Sequence, residues 1–217
     1  TKGRPVHLTL AHLVDNDEYR NFYLKEKKNG SVIIMDNSAF EFTQEGKGYL
    51  TGAEIVDYAK KINADYAVMT DYPGEDRKRT IDAAKEQAPL FKEAGLKTFF
   101  VPQGKVGNKE DYVECFRWAV DNHKLIDYIG VSILAVPNAY GIEPFGQEPS
   151  LHRFTGRLHM MYRLAESGLL GQVRGNKQHI HFLGMVDGPN EIQFLSPFKK
   201  YIDTWDSSSA IWHGLNG

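Results

Sequence analysis

Carboxylates and an amide follow several apolar segments of the chain, at points where side chains could do chemistry. The aspartates are Asp36, Asp71, Asp187 and Asp206, and the amide is Gln103. A single aspartate after a strand is usually a helix cap or a turn residue. Several carboxylates that converge with an amide form a polar pocket instead, in which one carboxylate can act as a nucleophile and another as a general acid or base. The elements that position these residues decide between the two interpretations.

Short apolar segments alternate with amphipathic segments along the chain. The strand-like segments span residues 5–13, 32–40, 64–73, 96–104, 125–134, 179–186 and 201–206, and the helical patterns span 51–63, 76–95, 108–123, 150–168 and 189–200. Strands that alternate with helices run parallel and are joined by right-handed crossovers. The pattern therefore predicts an α/β protein, and it leaves two architectures, an open doubly wound sheet and a (β/α)8 barrel.

The barrel fits the sequence better. No G-x-G-x-x-G motif follows the first strand, and a repeat of about 30 residues suits a barrel of about 250 residues. We therefore expect a TIM-type (β/α)8 barrel over residues 1–217, as a single domain with an irregular or incomplete last unit. The eighth strand is either "SAIWHG", residues 209–214, or absent. Catalytic groups of such barrels lie where strands end, so the aspartates and Gln103 would share one rim.

Composition limits the classes of function. The 217 residues are 41% hydrophobic and 25% charged with a formal net charge of −2, which excludes a globally basic nucleic-acid binder. The single cysteine, Cys115, excludes an internal disulfide, and its helical spacing with Tyr112, Phe116 and Ala119 predicts a core residue. No apolar run reaches the about 18 residues of a membrane span, and no signal peptide is recognisable. We expect a cytoplasmic protein without a membrane partner, and a trimmed or internal segment because the chain begins at Thr1.

Taken in order, the strand-end motifs resemble those of the tRNA-guanine transglycosylase superfamily. The motifs are "MDNSAFE", "TDYP", "VPQG", "IGVS", "FLGM" and "DTWDSSSA". Each motif alone is weak, but the ordered set is specific and spans almost the whole chain. The resemblance is strongest to the phage branch of this superfamily, which inserts 7-deazaguanine bases, such as preQ0, into DNA.

The resemblance assigns roles to individual residues. It implies that Asp206 is the nucleophile, that Asp36 is the general acid/base, and that Asp71 reads the base. The other base-binding residues that it implies are Gln103, Gly104, Gly130, Ser132 and Met185. Tyr72, like Met185, could stack on the flat base. The double glycine that the family carries after strand five is only partly kept, as Gly130 followed by Val131.

These residue types suit the exchange of a base with retention of configuration at the sugar. A carboxylate that attacks C1′ forms a covalent ester, which the incoming base displaces in a second inversion. Asp71 can accept hydrogen bonds from the N1–H and exocyclic amine of a purine, and Gln103 can donate to O6. We therefore expect selection of guanine-like bases, and we expect a target base in a duplex to be flipped out.

The sequence also predicts the absence of a cofactor. The tRNA enzymes hold a structural zinc through cysteines downstream of the nucleophile, whereas "SSSAIWHGLNG" contains none. His179 and His181 share one face of the sixth strand but lie near its start, away from the predicted rim, so we expect no metal there. Basic residues in loops at the rim are expected to contact phosphates. These residues are Arg77, Lys78, Arg79, Lys105, Lys109, Arg153 and Arg157.

The sequence favours the exchange of guanine in DNA for a 7-deazaguanine and leaves other functions open. The same chemistry could act on tRNA with a queuine- or preQ-type base. From other classes, the chain could be a catalytically silent, nucleic-acid-binding paralogue subunit, or a metal-dependent hydrolase that uses the four aspartates. The expected partners are nucleic acid and the free 7-deazaguanine base, and a homodimer is left open.

Overall fold

The computed structural model describes residues 4–142, 150–185 and 189–208, in which strands and helices alternate. The strands are β1 (Val6–Leu10), β2 (Val32–Asp36), β3 (Tyr66–Val68), β4 (Lys97–Phe100), β5 (Tyr128–Ser132), β6 (His179–Leu183) and β7 (Thr204–Trp205). The α-helices are α1 (Asp17–Lys28), α2 (Ala39–Gln44), α3 (Gly52–Lys61), α4 (Arg77–Glu93), α5 (Lys109–Asp121), α6 (Ala135–Ala139), α7 (Ser150–Glu166), α8 (Leu169–Gly175) and α9 (Pro189–Phe194). Short 3₁₀ helices span Ala11–Leu13 and Ser196–Tyr201.

All seven predicted strands are confirmed, each shorter than the apolar segment that predicted it. Strand order follows chain order, and the paired strands run parallel. This alternation of parallel strands with helices is that of a TIM-type (β/α)8 barrel, so the predicted fold class is confirmed. The segment proposed as an eighth strand, residues 209–214, lies outside the described residues.

The five predicted helical segments are confirmed as α3, α4, α5, α7 and α9, whereas α1, α2, α6 and α8 were not predicted. Helix α2 lies partly in a segment interpreted as a strand, because Ser38 adopts a left-handed conformation (φ 54°) and turns the chain into the helix. Helix α1 has no buried residue, and eight of its twelve residues are charged residues or asparagine, so its apolar stripe is short. Across the described ranges, no helix is long and apolar enough to cross a membrane.

Tertiary contacts divide the chain into two compact units. The first unit comprises Thr1–Asp71 and Asp82–Phe100, and the second comprises Tyr72–Ile81 and Val101–Gly217. In the first unit, the consecutive residues Ile33, Ile34 and Met35 of β2 are fully buried. In the second unit, Ile180 and Phe182 of β6 are fully buried. Runs of consecutive buried residues occur where both faces of a parallel sheet are covered, which explains the continuous apolar segments in the sequence.

Local sequence features account for the ends of two helices and for one core residue. Thr51 caps α3 in a reciprocal box, in which its hydroxyl accepts from the Glu54 N–H and its N–H donates to the Glu54 carboxylate. Gly95 follows α4 with φ +74°, where a left-handed residue ends a helix without steric cost. Cys115 is fully buried in α5, as predicted.

A buried ion pair in the second unit connects α7 and α9 to the carboxyl ends of β5 and β6. The side chains of Arg157 and Glu191 are both 0% exposed, and Arg157 Nε donates to Glu191 Oε1 over 2.7 Å. Arg157 also donates to the carbonyl oxygens of Val131 (3.2 Å), Leu183 (2.8 Å) and Gly184 (3.1 Å). Burial lowers the pKa of the Arg157 guanidinium, and the charge of Glu191 opposes that change. The prediction that Arg157 contacts phosphate is therefore wrong, because its side chain is enclosed by protein.

Replacing Glu191 with Gln should lower the free energy of unfolding by about 3 to 5 kcal/mol, because it leaves the buried Arg157 charge without its counterion. The matched control is Glu110→Gln, which breaks the exposed pair between Glu110 and Arg163. That change should cost less than about 1 kcal/mol. Urea unfolding of both variants measures the difference, and equal costs would contradict the role assigned to the buried pair.

Candidate active site

Asp206 follows β7 directly, and two N–H donors fix its carboxylate. His181 Nε2 lies 2.9 Å from Asp206 Oδ1, and the backbone N–H of Gly184 donates to the same oxygen over 3.0 Å. The Asp206 side chain remains 27% exposed. Within the described residues, both hydrogen bonds to the carboxylate involve Oδ1. The structure therefore presents an oriented, partly accessible carboxylate at the end of a strand, where barrel enzymes place catalytic groups.

The turn after β6 requires a glycine at position 184. Gly184 has φ +66°, a region that is costly for residues with a Cβ, and a Cβ there would lie 2.7 Å from Ile133 Cγ2. The next residue, Met185, donates its N–H to the Asp206 carbonyl oxygen over 2.8 Å. The Ser207 hydroxyl donates to the Met185 carbonyl oxygen over 2.7 Å. The "FLGM" motif thus holds Asp206 through its backbone, a role that the sequence did not reveal.

His181 contacts the candidate nucleophile, Asp206. The expectation that His181 lies away from the rim is therefore wrong. Strand β6 has five residues, so His181 lies at its centre and its imidazole extends to Asp206. The other ring nitrogen, Nδ1, lies 2.7 Å from Thr204 Oγ1. A signal was present in the sequence: Thr204 and Asp206 are two residues apart, so an extended chain places both side chains on one face, and His181 pairs with Thr204 in the neighbouring strand. Within the described ranges, no group of three or more His, Cys, Asp or Glu side chains could hold a metal ion.

Asp203 supports β7 from its amino end. Its carboxylate accepts two hydrogen bonds from Arg174 Nη1 (2.9 and 2.8 Å) and one from the Ile180 N–H (2.8 Å). Burial would raise the pKa of Asp203, but hydrogen bonds from His179, Arg174 and the Ile180 N–H outweigh it and lower the pKa. Asp203 is thus an ionised structural group. Asp187 lies outside the described residues.

Four predicted base-binding residues of the second unit lie on or directly after β4 and β5. Gln103 is 1% exposed, and its backbone N–H lies 3.4 Å from Cys115 Sγ. A Cβ on Gly104 would lie 2.6 Å from the Tyr112 backbone nitrogen, so the glycine permits close approach to α5. Ser132 Oγ accepts from the N–H groups of Leu134 and Ala135 at the start of α6, and Gly130 pairs with His181 in the sheet. Gly104 and Ser132 therefore have structural roles that account for their residue types.

In the first unit, Asp36 ends β2 and shapes the turn that follows. Its Oδ1 accepts the Ser38 N–H over 2.7 Å, which stabilises the left-handed conformation of Ser38. The Ser38 hydroxyl accepts the His12 N–H over 3.3 Å. Asp36 itself is half-buried, so a carboxylate at this strand end is both oriented and accessible.

Asn37 connects the motifs of Asp36 and Asp71. Its Nδ2 donates to Asp71 Oδ1 over 2.9 Å and to the Met69 carbonyl oxygen over 2.8 Å. Its Oδ1 accepts the Ala39 N–H over 2.8 Å, which fixes the orientation of the amide. Asp71 is 7% exposed. The structure therefore brings the carboxyl ends of β2 and β3 together through an asparagine to which the sequence assigned no role.

Most of the basic residues near "TDYP" that were predicted to contact phosphate form ion pairs with acidic side chains. The pairs are Arg77 with Asp111, Arg79 with Glu75, and Lys105 with Asp76. The hydrogen bond from Asp111 raises the pKa of the Arg77 guanidinium, and the hydrogen bond from Asp76 raises the pKa of the Lys105 ammonium. With the exposed Lys78, this cluster holds four cations against three anions. Its attraction for phosphate is therefore weaker than the sequence suggested.

Three other residues predicted to contact a base or a phosphate, Tyr72, Met185 and Arg153, lie in the second unit. The Arg79 guanidinium lies 3.8 Å from the centre of the Tyr72 ring, so a base stacked on Tyr72 would use the opposite face. Met185 is 2% exposed, and its sulfur lies 3.5 Å from Arg157 Nη2. Arg153 is half-buried on α7, one turn before Arg157. The predicted roles of these residues toward a base or a phosphate stay predictions.

Comparison with solved structures supports the fold. No protein-family model matches the chain, and no curated protein sequence matches it. The HpcH/HpaI aldolase from Desulfitobacterium hafniense DCB-2 is similar, with a TM-score of 0.50 and 12% identity over 99% of this chain and 91% of the aldolase. An aldolase designated QR15 gives a TM-score of 0.48 and 13% identity over 96% and 90% of the two chains. Active domain 2 of the chitinase from Pyrococcus furiosus gives 0.45 and 10% over 88% and 65%. At 12% identity, the likeness to the HpcH/HpaI aldolase concerns the fold alone.

Replacing Gly184 with Ala should lower the free energy of unfolding by about 1 to 3 kcal/mol, because a Cβ is strained at positive φ and meets Ile133. The control is Gly171→Ala in α8, where a Cβ has no neighbour within 4 Å. That change should stabilise the protein by up to about 1 kcal/mol. Urea unfolding distinguishes the two, and a Gly184→Ala variant as stable as the wild type would contradict the assigned turn.

Proposed function

We propose that the chain is a base-exchange transglycosylase that replaces guanine in DNA with a 7-deazaguanine derivative. The observation that carries the proposal is the Asp206 carboxylate, held through Oδ1 by His181 Nε2 and the Gly184 N–H while its side chain stays partly exposed. Such a carboxylate suits nucleophilic attack, because orientation of the reacting group reduces the entropy cost of reaction. The ordered strand-end motifs resemble those of the transglycosylase superfamily, and this resemblance favours base exchange over other reactions of a nucleophilic carboxylate.

In the first step, Asp206 Oδ2 attacks C1′ of the target nucleotide. A bond forms between Oδ2 and C1′, the bond between C1′ and N9 of guanine breaks, and its electron pair passes to the departing base. Asp36, as general acid, gives a proton to that base. In the second step, N9 of the incoming 7-deazaguanine, or its equivalent nitrogen, attacks C1′, its proton passes to Asp36, and the Asp206 carboxylate departs. Two inversions retain the configuration at the sugar.

Asp71 is proposed to read the guanine edge by accepting hydrogen bonds from N1–H and the exocyclic amine. Its burial and its contact with Asn37 support this role, because an oriented and largely desolvated acceptor discriminates strongly against bases without matching donors. Gln103 would donate to O6, and its burial likewise suits recognition of one specific group. A site that pairs with these groups would reject adenine, which lacks both the N1–H and O6.

DNA is the proposed polymer for two reasons. The motifs resemble those of the phage branch more than those of the tRNA enzymes. The tRNA enzymes build a zinc element with cysteines after the nucleophile, whereas residues 207–217, which follow Asp206, contain no cysteine. A flipped deoxynucleotide would require the base-reading residues and a few phosphate contacts, for which the exposed Lys78 is available.

Asp206→Asn should reduce base exchange by about 10⁴-fold or more, because the amide cannot form the sugar ester. Its free energy of unfolding should change by less than about 1 kcal/mol, since a partly exposed residue contributes little to the core. The control is Asp82→Asn, which removes an exposed carboxylate on α4. It should leave exchange unchanged.

Mass spectrometry of the trapped wild-type reaction should locate the nucleic acid on Asp206. An adduct on another residue, or full exchange by Asp206→Asn, would reject Asp206 as the nucleophile.

A further inference from the structure

A chain of hydrogen-bonding groups leads from Asp206 into the sheet of the second unit. Asp206 Oδ1 lies 2.9 Å from His181 Nε2, and His181 Nδ1 lies 2.7 Å from Thr204 Oγ1. Thr204 Oγ1 lies 3.2 Å from the Tyr128 hydroxyl. His181 and Tyr128 are each 1% exposed. This series of hydrogen bonds therefore connects three neighbouring strands, β5, β6 and β7, to one carboxylate oxygen.

The chemistry of these groups fixes the direction of each hydrogen bond when the imidazole is neutral. An ionised carboxylate only accepts, so His181 Nε2 must carry the proton that it donates to Asp206. Nδ1 of the neutral ring is then an acceptor, and the Thr204 hydroxyl donates to it. Thr204 Oγ1 in turn accepts from the Tyr128 hydroxyl. Each group thus directs the next, and together they select one of the two neutral tautomers of His181.

We propose that His181 is a positioning residue for Asp206, held as the Nε2–H tautomer by Thr204 and Tyr128. The proposal rests on the proposed function for the identity of the nucleophile and adds a role that neither the motifs nor the comparisons supply. The Nε2–H group holds Oδ1 in place, which directs Oδ2 toward the sugar. His181 does not touch the substrate and acts through Asp206 alone.

The second chemical step gains most from this hydrogen bond. In the covalent ester, Oδ1 is a neutral carbonyl oxygen. When the incoming base attacks C1′, the bond between C1′ and Oδ2 breaks, and its electron pair returns to the carboxylate, where it is shared between both oxygens. A hydrogen bond to a charged acceptor is stronger than one to a neutral acceptor, so the bond from His181 strengthens as Asp206 departs. An interaction that strengthens in this way lowers the barrier to departure.

Thr204→Val tests the proposal, with Thr204→Ser as the matched control that keeps the hydroxyl. Thr204→Val should reduce kcat for base exchange by about 10- to 100-fold with an unchanged KM, as expected when a catalytic group is misplaced. The fraction of enzyme trapped as the covalent adduct should rise, because departure of Asp206 slows more than its attack. Thr204→Ser should restore kcat. Wild-type kcat and adduct fraction in Thr204→Val would overturn the proposal.

A spectroscopic measurement on the unmodified protein tests the same proposal without activity. Long-range ¹H–¹⁵N NMR of protein labelled with ¹⁵N-histidine reports the tautomer of each ring, and the His181→Asn variant identifies the His181 signals by their loss. The Nε2–H tautomer supports the proposal, and the Nδ1–H tautomer overturns it. If the wild-type protein exchanges no base in any polymer, the proposed function fails, and the tautomer alone then decides whether the hydrogen-bond chain exists.

Discussion

Two N–H donors that converge on Oδ1 of Asp206 are the interaction on which the site of the second unit depends. One donor is the backbone of Gly184, which reaches the carboxylate only because the turn after β6 is left-handed. The other is His181, whose ring is aligned by Thr204. Arg157 donates to the carbonyl oxygens of Leu183 and Gly184 and so fixes the end of β6, where the Gly184 donor lies.

The need to hold Asp206 gives a reason for the buried ion pair near the ends of β5 and β6. Burying Arg157 and Glu191 costs desolvation energy, and an apolar pair of similar volume would often stabilise the fold as well or better. What the ion pair adds is a fixed position for the backbone that holds Asp206. In the first unit, the amide of Asn37 has a comparable role, because it orients Asp71 while its other contacts keep the turn after β2 in place.

The sequence predicted the fold well because apolar strand segments and capped helices are local patterns. The continuous burial of Ile33, Ile34 and Met35 produces the apolar run that identifies β2. Helix α1 escaped prediction because most of its residues are charged or polar and its apolar stripe is short. Sequence patterns also placed Asp36, Asp71 and Asp206 at strand ends, as the structure has them. The partners of these carboxylates depend on contacts distant in sequence. His181 reaches a residue 25 positions away, and Arg157 was taken for a surface cation because its partner is 34 positions away.

The most direct test of the proposed function is to incubate the protein with radiolabelled guanine and either duplex DNA or unmodified tRNA. Exchange of guanine for guanine needs no knowledge of the natural 7-deazaguanine, and it requires both the attack on C1′ and the return of a base. The proposal predicts that label enters DNA, that unlabelled preQ0-type base competes with it, and that tRNA gains none. Label in tRNA alone would contradict the choice of polymer, and label in neither polymer would contradict base exchange itself.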